Sequence, residues 1–408
     1  MRPDRDLVIL GGGCTGASLA ERLADAGTGA PRTLVIEARD AGPGFGDDRT
    51  WCFWRTRPHR HEGLVAQAWP RVRVASHDGR GGVAETPETP YQMIRGADFH
   101  DAARAAISAA PRVDLASGTR VVAVTRSPDG LWRVETSAGP VTATALVDTR
   151  PDRRPAPGGA RLWQSFLGRE IACDRASFDP GTVELMRFLP PHPDRIAFIY
   201  VLPFAPDRAL VEATVFAADP LPPPALVPDL EAAIAEATRG RGGAVLREEH
   251  GVLPMGLLGP PPPAPRGAGR RSGLVRAGLT AGGARPSSGY AFRRIQAWAD
   301  ACAASLLAGR GPIAAAPDGR LLAFMDRLFV RVLAADPARG PDLFAALFRR
   351  TPPARLVRFL SDEPTLLDAA AMAAALPPAP FLRALATRDS ARAAAAAAAR
   401  GRLGEAAR

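Results

Sequence analysis

Gly11, Gly13 and Gly16 stand in the spacing G-x-G-x-x-G between the apolar run "DLVIL" and the helix-forming run "ASLAERLADAG". No other feature of the chain restricts its fold as strongly. A strand that turns into a helix through backbone without side chains lets a pyrophosphate rest on the helix N-terminus. Glu37 ends the next apolar run, "TLVIEA", where an acidic side chain accepts from a ribose hydroxyl. Residues 6–40 therefore predict strand, glycine turn, helix and strand, and the binding of a dinucleotide. The motif alone does not separate FAD from NAD. Its place at the start of the chain favours FAD, with a second glycine segment expected far downstream.

That segment is "RAGLTAGGARPSSGYAF", Arg276 to Phe292, which follows "GLV" and precedes a helical pattern. Gly278, Gly282, Pro286 and Gly289 let backbone amides approach a flavin's phosphate and ring. The dipole of the following helix then points at the anionic side of the isoalloxazine. The segment resembles the second flavin motif of the hydroxylase and prenyl-reductase superfamily, with Leu279 where that motif carries an Asp. Arg95, in "YQMIRGADFHDAAR", is similar to the superfamily's arginine ahead of the helix beside the cofactor. A plain surface arginine is the alternative.

Strand–helix alternation comes first, antiparallel strand patterns second and helices last. This order predicts an α/β chain: a FAD-binding Rossmann-type domain, an α+β substrate domain on an antiparallel sheet, and C-terminal helices. We place the FAD domain at residues 1–150 and 270–310, the substrate domain at 151–269 and the helical region at 311–408. A helix is expected from Phe99 to Ala110, and residues 41–62 read as loop-rich. Proline-rich linkers are expected at 151–159, 220–228 and 259–269. The Ala-rich tail from residue 391 is low in complexity and carries no functional reading.

The net charge is +10, and all 52 basic residues are Arg. Abundant Ala, Pro and Gly accompany them, so compositional bias explains the charge better than a nucleic-acid groove does. No basic stretch interleaved with aromatics is present, and nucleic acid is not an expected partner. An anionic membrane surface suits the charge better. Cys14, Cys52, Cys173 and Cys302 lie far apart and read as reduced thiols of a cytosolic protein. His59 and His61, flanked by Arg, read as a solvated loop and not a metal site. No stretch is apolar enough to predict a membrane span.

One stretch, "YVLPFAPDRALVEATVF" from Tyr200 to Phe216, sets a single carboxylate in apolar surroundings. Its alternation from Ala209 predicts a strand with Leu210, Glu212, Thr214 and Phe216 on one face. Read from the residues alone, Glu212 is either a structural group paired with Arg208 or Arg187, or a proton donor.

Several segments in order resemble one family, the flavin-dependent lycopene cyclases that make β-ionone rings. They are "DRTWCFW" at 48–54, "QSFLGREI" at 164–171, "FDPGTVELMRF" at 178–188, the Glu212 stretch, "REEHGVLPM" at 247–255 and "TAGGARPSSGYAF" at 280–292. "FMDRLF", "RFLS" and "LPPAPFLRAL" follow toward the C-terminus. The family's acid lies in a motif matched here by Val211-Glu212-Ala213-Thr214, with Ala213 replacing a second acid. Arg187 stands where the family carries an Asp.

The resemblance implies an intramolecular lyase or isomerase that converts the ψ-ends of lycopene to rings without net redox change. Glu212 is then the proton donor. Reduced FAD steadies the cation, and NAD(P)H serves only to reduce the flavin. Trp51, Phe53, Trp163 and Phe166 are expected to line the polyene tunnel, with aromatic core packing as their plainer reading. Glu170, Glu248, Glu249 and Asp326 are secondary acid candidates, more simply paired with arginines. The substrate, lycopene or a related acyclic carotenoid, requires contact with a membrane. The segment 324–360, with Phe324, Leu328, Phe329, Val332, Phe344, Leu347 and Phe348 beside arginines, is expected to supply it. The resulting placement is cytoplasmic, peripheral to the inner face of the membrane. Two alternatives stay open: a flavin monooxygenase or prenyl reductase, and a non-catalytic carotenoid- or flavin-binding protein.

Overall fold

A computed structural model describes residues 3–151, 159–258 and 273–386. The expected linkers at 151–159 and 259–269 lie almost wholly outside these residues, and the Ala-rich tail from residue 391 lies entirely outside them.

Arg5–Leu10 is buried on both sides, as a central parallel strand must be. Leu7 and Ile9 pack against Leu19, Leu23 and Trp298, while Val8 and Leu10 meet Trp132 and Val134. The sheet around it runs Val113–Ala116, Thr33–Ile36, Arg5–Leu10, Gly139–Asp148, Trp132–Thr136, Val121–Arg126. The first four strands are parallel and the last three form an antiparallel meander. Helices Cys14–Asp25, Gly96–Ala109 and Phe292–Leu307 accompany it.

A short strand from much later in the chain, Leu274–Arg276, pairs parallel with Gly139–Asp148. Leu10 and Arg276 both sit opposite Asp148. The two glycine segments therefore leave the sheet side by side, at the carboxyl ends of its parallel strands. Ligands of open α/β sheets bind in that position.

The second sheet is ordered Ala244–Leu257, Ala160–Ala172, Arg208–Ala217, Arg195–Ala205, Thr182–Phe188, Arg71–Ala75, Gly81–Glu85. All its neighbours are antiparallel except Thr182–Phe188 with Arg71–Ala75. Its last two strands come from within residues 1–150, so the sheets do not divide the chain at residue 150. A third sheet, Thr50–Trp54, Tyr91–Arg95 and Val65–Trp69, places a strand inside the segment expected to be loop-rich.

The two faces of the second sheet are covered differently. Val211, Ala213 and Val215 join Leu230 and Ala233 of helix Val227–Ala237. Leu210 and Phe216 instead face Phe329, Phe344 and the other C-terminal helices. Those helices are Arg320–Ala335, Gly340–Arg350, Pro353–Leu360, Leu366–Ala375 and Pro378–Ala386. The alternation read from Ala209 onward is thus the alternation observed. Among the described residues no single helix is long and apolar enough to cross a membrane.

Candidate active site

Strand register builds the site. Opposite residues of antiparallel strands point to the same side, so each row across the second sheet can be read directly. One row is Glu249, Gly168, Glu212, Tyr200; the next is Gly251, Phe166, Thr214, Phe198. Except for Gly168, both rows line a cavity of about 1050 Å³ between this face, the glycine segments and the C-terminal helices. Gly251 makes room for a neighbour: a Cβ there would stand 2.7 Å from the ring of Phe166.

Glu212 is buried, and Thr214 Oγ1 donates to its Oε1 at 2.6 Å. Among the described residues no arginine pairs with it. Burial, and secondly the negative charge of Glu249, raise its pKa from the usual 4.5 to about 8, against the weaker pull of Thr214 and Arg247. The carboxyl is therefore protonated at neutral pH. With Oε1 accepting from Thr214, the proton belongs on Oε2.

Glu170, one row away, has the opposite fate. It is equally buried, yet it meets Arg95 at 3.1 Å, Arg247 at 3.3 Å and Arg208 at 2.6 Å. Burial opposes its ionisation, but the Arg95 and Arg208 bonds prevail and hold its pKa below the usual value. The arginines that might have paired with Glu212 are used elsewhere: Arg208 on Glu170, and Arg187 on Glu184 and Glu236. Two buried glutamates on neighbouring strands are thus sorted by environment into a neutral acid and a structural anion.

Arg95 has a protein partner. Its guanidinium is bound to Glu170 and lies over the Phe204 ring, and it does not line the cavity. Trp51 and Phe166 do line the cavity. Phe53 and Trp163 do not; both are buried in the core, Phe53 stacked on Phe292. His61 is no solvated loop residue: it is 3% exposed and its Nε2 lies 3.0 Å from Glu21. Glu248 and Asp326 take arginine partners, Arg169 and Arg285.

The glycine cradle fits a dinucleotide. A Cβ at Gly16 would lie 2.0 Å from the Gly11 carbonyl oxygen, so the turn closes only over glycine. At Gly13, by contrast, a Cβ would meet nothing within 4 Å of the protein. Gly13 opens helix Cys14–Asp25 without a side-chain cap, leaving the first N–H groups directed at the cavity that Gly13, Cys14 and Thr15 line. Glu37 accepts from the Gly12 N–H at 2.8 Å and the Arg39 N–H at 3.0 Å, and a carboxylate retains further acceptor capacity beyond these. Gly278, at φ +91°, passes close to Thr15, and Gly282 caps the short turn Leu279–Ala281. Gly289 lines the cavity, whereas Pro286 does not. Beside Gly289 the Oε1 of Gln164 is buried with no partner among the described residues, an acceptor left for a ligand. The cavity continues from this cradle to Glu212 without interruption.

Three tyrosines escaped the sequence reading. Tyr91, Tyr200 and Tyr290 join through hydroxyls 3.2 Å apart beside Glu212, and burial raises the pKa of each. They bring uncharged hydroxyls and π-faces to the acid. A signal for one of them existed: the "APDR" turn at 205–208 sets a hairpin register that puts Tyr200 opposite Glu212.

Two of the three departures from the motifs lie off the cavity. Ala213 points to the opposite face of the sheet from Glu212, and Arg187 lies off the cavity; only Leu279 lines it.

The fold, a parallel-sheet dinucleotide domain joined to a large antiparallel sheet, is one already seen in other proteins. Three solved structures share it. They are p-nitrophenol 4-monooxygenase PnpA from Pseudomonas putida DLL-E4 (TM-score 0.60, 13% identity, 89% of this chain and 99% of that one), the flavin-dependent brominase Bmp2 (0.57, 13%, 95% and 99%), and a geranylgeranyl bacteriochlorophyll reductase-like protein from Thermoplasma acidophilum (0.51, 13%, 94% and 96%).

Within that architecture the chain belongs to the lycopene cyclase family, whose model, Lycopene cyclase protein, matches residues 6–386. It is 31% identical over 259 residues to a lycopene beta-cyclase of Paracoccus sp. (strain N81106 / MBIC 01143), covering 59% of this chain and 63% of that protein's length. It is also 26% identical over 317 residues to a lycopene beta-cyclase of Pseudescherichia vulneris, covering 76% of each.

Proposed function

We propose that the chain is a lycopene β-cyclase that closes the ψ-ends of lycopene to β-ionone rings, through γ-carotene to β-carotene, with no net redox change. The observation that carries this reading is Glu212. It is an un-ionised carboxyl on the wall of a long apolar cavity that also reaches a dinucleotide cradle.

A hydrocarbon offers no polar handle, so binding falls to the apolar wall, which includes Phe166, Phe216, Phe344 and Met372. Protonating an alkene requires an acid that still holds its proton at working pH, and Glu212 does. Its Oε2 gives the proton to the terminal C=C, and the adjacent double bond attacks the tertiary cation. A ring carbon then loses a proton, so one proton enters and one leaves. Thr214 fixes the carboxyl rotamer, and the dry walls exclude the water that would quench the cation. We assign FAD to the cradle on the fit of Gly13, Gly16, Glu37 and Gly278. When bound in reduced, anionic form it supplies negative charge near the cation, which counts for far more in a dry cavity than in water. NAD(P)H is the proposed reductant of that flavin.

The substrate sits in lipid, so we propose a peripheral position at the inner face of the membrane, through a surface that adds the helices after residue 365 to the exposed Phe324 of the segment expected from sequence. Phe329, Val332, Phe344, Leu347 and Phe348 are buried and unavailable to a bilayer. At the cavity mouth, Leu366 and Leu382 line the opening and are 77% and 63% exposed, and Leu367 beside them is 68% exposed. They belong to two short apolar helices, Leu366–Ala375 and Pro378–Ala386, bent at 101° to one another. Such a hairpin can dip into the interface and open the cavity to it.

The test is expression in a lycopene-accumulating bacterium with pigments separated by chromatography. Wild type is expected to convert lycopene to β-carotene, and Glu212→Gln to leave lycopene unchanged while keeping its flavin. Normal cyclisation by the variant would refute the assignment.

A further inference from the structure

The reaction needs a base as well as an acid, since the carbon that gains hydrogen and the carbon that loses it are different atoms of one ring. The sheet offers a candidate. Gly168 lies opposite Glu212 on one side and opposite Glu249 on the other, so the two carboxyls flank it on the same face. Neighbouring strands lie about 4.8 Å apart, which separates the two backbones by roughly 10 Å and lets the side chains converge above the glycine. A Cβ at Gly168 would stand 3.2 Å from Leu210 Cδ1 and 3.3 Å from Glu212 Cβ, so any larger residue would press on the stem of Glu212. Both carboxyls line the cavity.

Resting on the cyclase reading, we propose that Glu249 is the base that removes the ring proton, and that Gly168 keeps open the space in which Glu249 and Glu212 act as a pair. Glu249 is buried, and its Oε2 accepts from Thr50 Oγ1 and Arg247 Nη1, both at 2.6 Å. Both donors engage Oε2, and neither engages Oε1. The groups facing it are Glu212 and Cys52 across the cavity, Thr50, and Arg247 with Glu170 and Asp47 behind it. Burial, with the charge of Glu249 beside it, keeps the proton on Glu212.

Each cycle moves that proton once through the substrate. The Glu212 O–H bond breaks and a C–H bond forms at the terminal alkene carbon. The neighbouring alkene supplies the electron pair of the new C–C bond. A ring C–H bond then breaks, its electron pair becomes the ring double bond, and its proton passes to Glu249. Glu212 is left ionised and Glu249 neutral, and a proton crossing the gap over Gly168 restores the start. No oxidant or reductant is consumed.

The experiment uses the flavin-loaded full chain, reduced, with lycopene in phosphatidylcholine vesicles, and compares wild type with Glu249→Gln, Glu249→Asp and Gly168→Ala across pH. Glu249→Gln is expected to lose turnover by roughly a hundredfold with KM little changed. Its residual rings should carry the double bond at other positions, because another acceptor takes a different proton. Its alkaline activity limit should fall to lower pH, since Glu212 loses the neighbouring charge that favours its neutral form. Glu249→Asp should keep the β-ring at reduced rate, and Gly168→Ala should slow turnover. If Glu249→Gln makes the same ring within threefold of wild type, Glu212 takes the proton back itself and the proposal fails. A rate loss uniform across pH with an unchanged product also overturns it, because that is the signature of a structural role. Should Glu249→Gln not fold, the Asp and Ala variants carry the decision: wild-type rates and products in both would refute the pair. Absence of rings from wild type would sink the cyclase reading itself.

Discussion

Keeping Glu212 neutral costs stability, and the cost can be read. The folded carboxyl ionises at about pH 8, whereas its ordinary value is 4.5. Below 4.5 both folded and unfolded chains carry the proton, and nothing is lost. Between the two values the unfolded chain has released it, so folding must take a proton up, and stability falls by about 1.4 kcal/mol per pH unit. At pH 7 the loss is about 3 kcal/mol, levelling near 5 kcal/mol above pH 8. Glu212→Gln removes the titration, and its amide oxygen still accepts from Thr214. The variant should therefore match wild type near pH 4.5, exceed it by about 3 kcal/mol at pH 7, and do so while inactive. For a chain of this length that is a rise of roughly 3–4 °C in Tm. The assay is thermal and urea denaturation of the flavin-loaded pair at pH 5, 7 and 8.5. A difference independent of pH, or a variant less stable than wild type at pH 7, would refute the reasoning.

Other outcomes test the rest of the site. Gly13→Ala should fold normally, since its Cβ meets no protein atom, yet lose flavin affinity by at least about tenfold as the methyl intrudes on the phosphate path, read from flavin retained on gel filtration. Glu170→Ala leaves Arg95, Arg208 and Arg247 without their shared carboxylate and should destabilise the fold by about 3–5 kcal/mol, measured in urea. Leu367→Asp should weaken flotation with phosphatidylglycerol vesicles while leaving cyclisation of detergent-dispersed lycopene intact, since Leu367 is exposed and lies off the cavity. NAD(P)H absorbance should fall once per flavin reduced and then stay level while rings accumulate; one equivalent lost per ring would indicate net redox chemistry.

What could be read from sequence was local. Alternation from Ala209 placed Glu212 among Leu210, Thr214 and Phe216 because a strand's period is two. The first glycine turn was legible because only glycine closes over the Gly11 carbonyl. What failed depended on long-range pairing. The partner of Arg95, Glu170, comes from a strand 75 residues later and could not be read beside it. Phe53, Trp163 and the aromatic residues of 324–360 carry the composition of a tunnel or a membrane face. Only tertiary packing decides that Phe53 and Trp163 are core, and that Phe344 and Phe348 line the cavity from inside. The Glu249–Gly168–Glu212 row is set by the register of three strands far apart in the chain.

The most direct measurement is the infrared carboxyl spectrum of Glu212, taken as the difference between wild type and Glu212→Gln across pH. A protonated C=O band present at pH 7 and titrating away near pH 8 is the result expected of a buried proton donor. A carboxylate already formed at pH 7, with its transition near 4.5, would contradict it.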